Sequence, residues 1–286
     1  MNEKDIRNIN IIKALCPPFI YQFIMMTVQV IADMVIFMKH IKSVSDKGTV
    51  GYADSYSFMD IVDNNMNKYS YIIILISATI AVIVFGIWYY KVSEKYERSG
   101  FEKQFEAGRL KKSWLIALLG LFAGVGLSRF VSLLPLDNII GNYEDTSNTL
   151  MGGNLSIQIL SLAIIVPVAE ELIYRGLVFT GLTKVMEAKY AIFGASVLFG
   201  IFHFNLLQGT YAFLLSLILV CIYMKCRTIL APVIIHSAAN LTAVVSSYFG
   251  ISEFFNKSLP LYIIIMLIEL SVVVLLFVLI FGEEET

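Results

Sequence analysis

Long apolar runs separated by short polar segments dominate the chain. A helix that crosses the hydrocarbon core of a bilayer needs about 20 mostly apolar residues. Eight segments reach or approach that length, at residues 19–38, 70–90, 114–134, 155–182, 190–207, 211–224, 229–249 and 259–281. The pattern predicts an all-α, polytopic membrane protein, a bundle of about eight transmembrane helices whose sixth member is the shortest.

The composition supports this class and removes others. Of the 286 residues 58% are hydrophobic and 15% are charged, whereas soluble proteins average about 45–50% and about 25%. This excludes an ordinary soluble enzyme, and so apolar a chain does not stay disordered. The net charge of −1 and the lack of a basic face argue against a nucleic-acid partner. The expected partners are the lipid bilayer and a peptide or protein substrate.

The placement of Lys and Arg predicts the topology. With the N-terminus in the cytoplasm, 14 basic residues fall on the cytoplasmic side and 5 on the other side, as the positive-inside rule requires. We therefore predict a multi-pass protein of the cell membrane with both termini cytoplasmic. The polar segment at 39–68 is predicted to be an extracytoplasmic loop, and the mixed-charge segment at 91–112 a topology anchor.

Ionisable side chains inside predicted spans are costly and therefore indicate function or pairing. The spans contain Asp33, Arg129, Glu170, Glu171, Arg175, His203, His236 and Glu269. Five of these eight lie in the fourth, fifth and seventh spans, as a single site requires. Asp33 and Arg129 lie near span ends, where a structural role is expected and Arg129 can extend to the interface. We predict that Glu269, in the middle of the last span, pairs inside the bundle.

The fourth span carries two adjacent glutamates and an arginine. Glu171 and Arg175 are four residues apart, so they share a helix face and can pair. Glu170 points about 100° away from Glu171 in an α-helix, which leaves it free for chemistry. Pro167 removes a backbone hydrogen bond and tends to bend the helix just before the pair. Taken alone, this pattern also fits an ion pair that only holds helices together.

Two further spans carry histidines. Phe199 and His203 share a face of the fifth span, and His236 and Asn240 lie one turn apart on the seventh, with only small residues between them. A lone histidine on an apolar helix is commonly a hydrogen-bonded core residue, and small residues permit close helix packing. Counted at about 1.5 Å per residue, Glu170, His203 and His236 lie within about two helical turns of one depth. That agreement is compatible with one cavity that opens to the cytoplasm.

In this order the three motifs resemble those of the CPBP family, the CAAX proteases and bacteriocin-processing proteins, which includes the type II CAAX prenyl endopeptidases and the Abi-type immunity proteins. The motifs are Glu170-Glu171-x-x-x-Arg175, Phe199-x-x-x-His203 and His236-x-x-x-Asn240. The resemblance implies a helical membrane bundle with a polar intramembrane cavity. It divides the chain into N-terminal helices at 1–154, a catalytic core at 155–249, and a final helix with an acidic tail at 250–286.

The resemblance also implies roles for the matched residues. Glu170, oriented with His203, would activate the attacking water, while His236 and Asn240 would stabilise the tetrahedral oxyanion. Glu171 and Arg175 would position these groups. A desolvated glutamate suits a general base, and His and Asn donors suit an oxyanion hole.

Metal dependence is open at the sequence level. Glu170, His203 and His236 would also suit zinc as a His₂Glu set with an open fourth position, as the label metalloprotease implies. The chain has no His-Glu-x-x-His helix, the usual zinc-protease pattern. We therefore favour a metal-free, glutamate-dependent mechanism and keep zinc as the alternative cofactor.

The function expected from the resemblance is an intramembrane endopeptidase of the CAAX type. Bacterial peptides, bacteriocins or membrane proteins are more plausible substrates than prenylated CAAX proteins, because the chain looks more like the bacterial members. Two other classes stay open. A transporter or proton-relay protein also buries Glu, Arg and His, and a non-catalytic membrane protein for bacteriocin immunity or resistance would need no activity.

Overall fold

The computed structural model describes residues 3–46, 58–96, 113–135, 154–251 and 258–282. Most of the predicted anchor at 91–112 and the centre of the predicted loop at 39–68 lie outside these residues. The described ends of that loop, residues 39–46 and 58–68, are helical. The first two helices therefore continue beyond their apolar runs into polar sequence.

The described residues form helices and no strands. We number these helices α1 (Glu3–Asp46), α2 (Phe58–Tyr96), α3 (Ser113–Ser132), α4 (Leu155–Leu182), α5 (Ala188–Ile201), α6 (Leu206–Cys226), α7 (Leu230–Tyr248) and α8 (Leu259–Phe281). Seven of them are long and apolar enough to cross a membrane, whereas α5 has only 14 residues. The prediction of an all-α, multi-pass membrane protein is confirmed.

The structure corrects the lengths of the fifth and sixth spans. The helix predicted at 190–207 ends at Ile201, and the chain turns before α6, which has 21 residues instead of the short run predicted at 211–224. Phe204 in the turn has a left-handed φ of 52°. Asn205 caps α6, because its side chain accepts a hydrogen bond of 3.0 Å from the backbone N–H of Gln208. Most residues at 201–207 are apolar, so hydropathy alone hides this break.

Helices α5 and α6 approach at the level of their backbones beside this turn. A Cβ atom on Gly200 would lie 2.7 Å from the carbonyl oxygen of Gly209, and one on Gly209 would lie 2.8 Å from that of Gly200. Only glycine allows such an approach at both positions. The two helices therefore meet at Gly200, three residues before His203.

The helices before residue 154 support the helices that carry the motifs. On α3, a Cβ added to Gly120 would clash with the carbonyl of Ile235 on α7, and one added to Gly124 would lie 2.8 Å from Cα of Ala239. This is the packing of small residues that allows close helix contact in membranes. Helix α3 thereby fixes the position of α7, while the division of the chain at residue 154 stays a prediction.

Helices α1 and α2 pack on α4 in the same way. A Cβ on Gly181 would lie 2.7 Å from Cβ of Ala14 on α1, and one on Gly176 would lie 2.9 Å from the ring of Tyr89 on α2. Helices α1 and α2 therefore hold the part of α4 that follows its two glutamates.

The prediction that Glu269 pairs inside the bundle is confirmed. Its carboxylate lies 3.1 Å from Nε of Arg129, and the two side chains are only 14% and 8% exposed. The hydroxyl of Tyr262 donates a hydrogen bond of 3.1 Å to the backbone carbonyl of Arg129. Arg129 is thus buried between α3 and α8 instead of extending to the interface. On α1, the side chain of Asp33 accepts a hydrogen bond of 2.8 Å from Nε2 of Gln29.

Replacement of Gly124 by Ala should lower the free energy of unfolding by about 1–3 kcal/mol, because the new methyl group overpacks the contact between α3 and α7. Gly86 of α2 is the matched control, because the nearest atom to its added Cβ is 4.0 Å away. At that position Ala should stabilise the helix slightly. Reversible unfolding in mixed micelles measures both variants, and equal effects of the two substitutions would contradict the packing described.

Candidate active site

Helix α4 is not a regular α-helix around its two glutamates. A short α-helical segment, Val166–Glu171, lies between two π-helical segments, Ile159–Ile165 and Leu172–Phe179. In the first of these the N–H of Val166 bonds to the carbonyl of Ser161, five residues back. Segments of π-helix are rare and frequently occur at functional sites. Pro167 predicts a bend at this place, but the sequence pattern does not predict the π-helical segments.

The first π segment gives Asn240 its partner. In an α-helix the carbonyl of Leu162 would accept from Val166, whose N–H instead reaches Ser161. The next backbone nitrogen belongs to Pro167, which has no hydrogen to donate. The amide of Asn240 on α7 donates to this carbonyl at 2.9 Å. Because Pro167 leaves the carbonyl of Leu162 without a backbone donor, this carbonyl is available to orient the side-chain amide of Asn240 on α7.

The predicted pair of Glu171 and Arg175 forms. Nη1 of Arg175 donates to Oε1 of Glu171 at 2.8 Å, and both side chains are fully buried. The guanidinium also lies over the ring of Phe199, 4.8 Å from its centre, and its Nη2 donates to Oγ of Ser216 at 2.8 Å. Sequence reasoning missed Ser216, for which the only signal is a hydroxyl within an apolar span.

His236 lies between the two glutamates. Its Nδ1 is 2.8 Å from Oε1 of Glu171, and its Nε2 is 3.6 Å from Oε2 of Glu170. A carboxylate only accepts hydrogen bonds, so Nδ1 carries the proton that faces Glu171. The seventh span therefore joins the motif of the fourth span directly, through a side chain that is almost fully buried.

The two adjacent glutamates have different surroundings, as their angular separation on the helix predicts. The side chain of Glu170 is 13% exposed, whereas that of Glu171 is not exposed at all. Of the pair, Glu170 is the carboxylate that retains access to a small molecule such as water.

His203 lies in the turn after α5, one turn beyond Phe199, and not within the helix as predicted. Its Nδ1 is 2.7 Å from the carbonyl oxygen of Phe199. The ring of Phe199 packs edge-on against His203 and His236, with centroid distances of 4.9 and 5.7 Å. Among the described residues His203 has no hydrogen bond or ion pair with Glu170. Their joint action on a water molecule therefore stays a prediction.

The side chains do not form a metal site as they stand. Within the described ranges, no three His, Cys, Asp or Glu side chains are grouped so that they could hold a metal ion. Glu170, His203 and His236 therefore do not fit the His₂Glu zinc arrangement that the sequence allows.

Comparisons with known proteins place this site within a described family. Residues 152–242 match the family model "Rce1-like: Type II CAAX prenyl endopeptidase Rce1-like". UPF0177 protein YxdF of Lactococcus lactis subsp. lactis (strain IL1403) is 30% identical over 150 residues, which are 51% of this chain and 82% of YxdF. No solved structure matches the chain. The matched segment includes every candidate residue from Glu170 to Asn240.

Loss of the buried counterion of Arg175 should be strongly destabilising. The variant Glu171→Gln leaves an uncompensated charge among apolar side chains, which costs about 3–5 kcal/mol. The matched control Glu170→Gln should cost less than Glu171→Gln, because the ion pair between Arg175 and Glu171 stays intact. Unfolding in detergent micelles compares the two, and the account fails if the Glu170 variant is the less stable one.

Proposed function

The chain belongs to the CPBP family of CAAX-protease-like membrane proteins, and we propose that it is an intramembrane endopeptidase that cleaves a peptide near the cytoplasmic face. The observation that carries the proposal is the buried contact of His236 with both Glu170 and Glu171. Side chains of α4 and α7 that could each be structural alone lie together, because His236 is hydrogen-bonded to Glu171 and its Nε2 lies 3.6 Å from Glu170. General-base hydrolysis needs such a group within a low-dielectric environment.

Glu170 is the proposed general base. Its carboxylate takes one proton from a water molecule as the water oxygen attacks the carbonyl carbon of the scissile bond. Its partial exposure admits water, and its position on α4 is set by the packing of α1 and α2 on that helix. His203 acts beside it in this proposal, and the ring of Phe199 keeps the imidazole next to the site. The proton then passes to the leaving amine when the tetrahedral intermediate collapses.

His236 and Asn240 are the proposed oxyanion donors. Nδ1 of His236 is already bonded to Glu171, so Nε2 is the nitrogen that faces the reacting groups. A donor role requires a proton on Nε2, and the ring then carries both protons. One N–H of Asn240 bonds to Leu162, which leaves its second N–H for the oxyanion. Donors held in advance in this way need little reorganisation in the transition state.

Glu171 and Arg175 are assigned a positioning role. Both are fully buried, so neither reaches a substrate directly. Glu171 holds the imidazole of His236, and Arg175 holds Glu171.

The proposed substrates are bacterial peptides, bacteriocins or membrane proteins. The relative YxdF is a bacterial protein, which favours these over prenylated CAAX proteins, although a fold alone never determines a substrate. The proposed location is the cell membrane with both termini in the cytoplasm, as the distribution of Lys and Arg indicates.

Comparison of protein termini in cells with the wild-type chain and with Glu170→Gln tests the activity and finds its substrate. We expect specific new termini in the wild type only. Cleavage of the identified peptide in proteoliposomes should then fall by about 10²–10⁴-fold in the variant, the usual contribution of a general base. Glu187→Gln is the control, because Glu187 is 70% exposed and forms an ion pair with the exposed Lys189, away from the site residues.

Other outcomes favour the alternatives. Full cleavage by the Glu170→Gln variant would overturn the assigned base. If a resistance phenotype survives both this change and His203→Gln without any new termini, the chain is a non-catalytic immunity protein. Proton flux or uptake in liposomes that depends on Glu170 would instead indicate a transporter.

A further inference from the structure

One polar contact of the site comes from a helix that carries none of the three motifs. Ser216 lies on α6 and is fully buried. Its Oγ accepts a hydrogen bond of 2.8 Å from Nη2 of Arg175, and its backbone carbonyl oxygen lies 3.5 Å from the same nitrogen. A buried hydroxyl that bonds to a charged group is a strong interaction.

Ser216 restrains the guanidinium of Arg175 at Nη2, the terminal nitrogen that does not bind Glu171. A guanidinium is planar, so an anchor on Nη2 also restricts the direction of Nη1. Nη1 is the atom that bonds to Glu171. In the part of the chain that the structure describes, Nε of Arg175 has no hydrogen-bond partner. The hydroxyl of Ser216 is therefore the side-chain anchor that complements the bond to Glu171.

The restraint continues to His236 through one oxygen atom. Oε1 of Glu171 is 2.8 Å from Nη1 of Arg175 and 2.8 Å from Nδ1 of His236. We propose that Ser216 is a positioning residue of the site, whose hydroxyl sets the orientation of His236 through Arg175 and Glu171. As a statement about catalysis, this inference rests on the proposed peptide hydrolysis.

The hydroxyl can be removed with little change in packing. The variant Ser216→Ala loses one oxygen atom, keeps Cβ and favours the helix, and Ser216→Thr restores a hydroxyl. Ser196 of α5 is a matched control, because it is also fully buried but its Oγ has no hydrogen-bond partner among the described residues. Ser196→Ala therefore removes a buried hydroxyl that anchors nothing.

Nitrogen-15 NMR of the histidine rings tests the connection without a substrate. The chain has only three histidines, so each signal can be assigned by replacing one histidine at a time in the full-length protein in nanodiscs. In Ser216→Ala the proton on Nδ1 of His236 should exchange faster and shift upfield, because its bond to Glu171 is less restrained. The signals of His203 should stay in place.

The control variants decide what the spectra mean. Ser196→Ala should leave the His236 signals unchanged, and Ser216→Thr should restore them. The inference is wrong if Ser216→Ala leaves the His236 signals unchanged. It is also wrong if Ser196→Ala shifts these signals as much as Ser216→Ala does while the two variants have the same thermal stability.

Kinetics test the consequence for catalysis. With the peptide identified from the protein termini, Ser216→Ala should lower kcat about tenfold, equivalent to about 1.4 kcal/mol, with KM unchanged. Ser216→Thr should recover most of kcat. Unchanged kcat in Ser216→Ala, with Glu170→Gln inactive, would overturn the positioning role and leave the proposed function intact. Full activity of Glu170→Gln would overturn the proposed base, while the histidine spectra would still decide whether Ser216 orients His236.

Discussion

The structure around the site depends on one constraint, the complete burial of the Arg175 guanidinium in a helix of membrane-spanning length. A charge in such a place is costly unless it is paired and hydrogen-bonded. The chain meets this need with Glu171 on the same helix, the ring of Phe199 from α5 and Ser216 from α6. One cation therefore brings three helices to a common point.

The same constraint connects α4 to α7. The oxygen of Glu171 that binds the arginine also binds His236, and a second link joins Asn240 of α7 to the carbonyl that Pro167 leaves without a donor on α4. Close approach of α3 at Gly124 holds α7 at Ala239. The proposed oxyanion donors are thus fixed by contacts that involve no substrate, as electrostatic preorganisation requires.

Features set by spacing along one helix were predictable from the sequence, and features set by contacts between helices were not. The pairing of Glu171 with Arg175 follows from their spacing of four residues. Helical periodicity assumes one regular pitch, so it did not reveal the π segments beside Pro167. Apolar residues hid the turn after α5, although Asn205 is a typical helix cap. Ser216 has no signal in the sequence beyond its polarity, because its role arises only when α6 meets α4.

The central claim is that the buried pair of Glu171 and Arg175 orients His236 for catalysis. The double variant Glu171→Met/Arg175→Met tests it, because apolar residues of similar size remove both charges together. Its free energy of unfolding should fall less than that of Glu171→Gln, because no uncompensated charge stays buried. Its cleavage of the identified peptide, measured on the same preparation, should be lost. A double variant that is stably folded and cleaves at the wild-type rate would contradict the account.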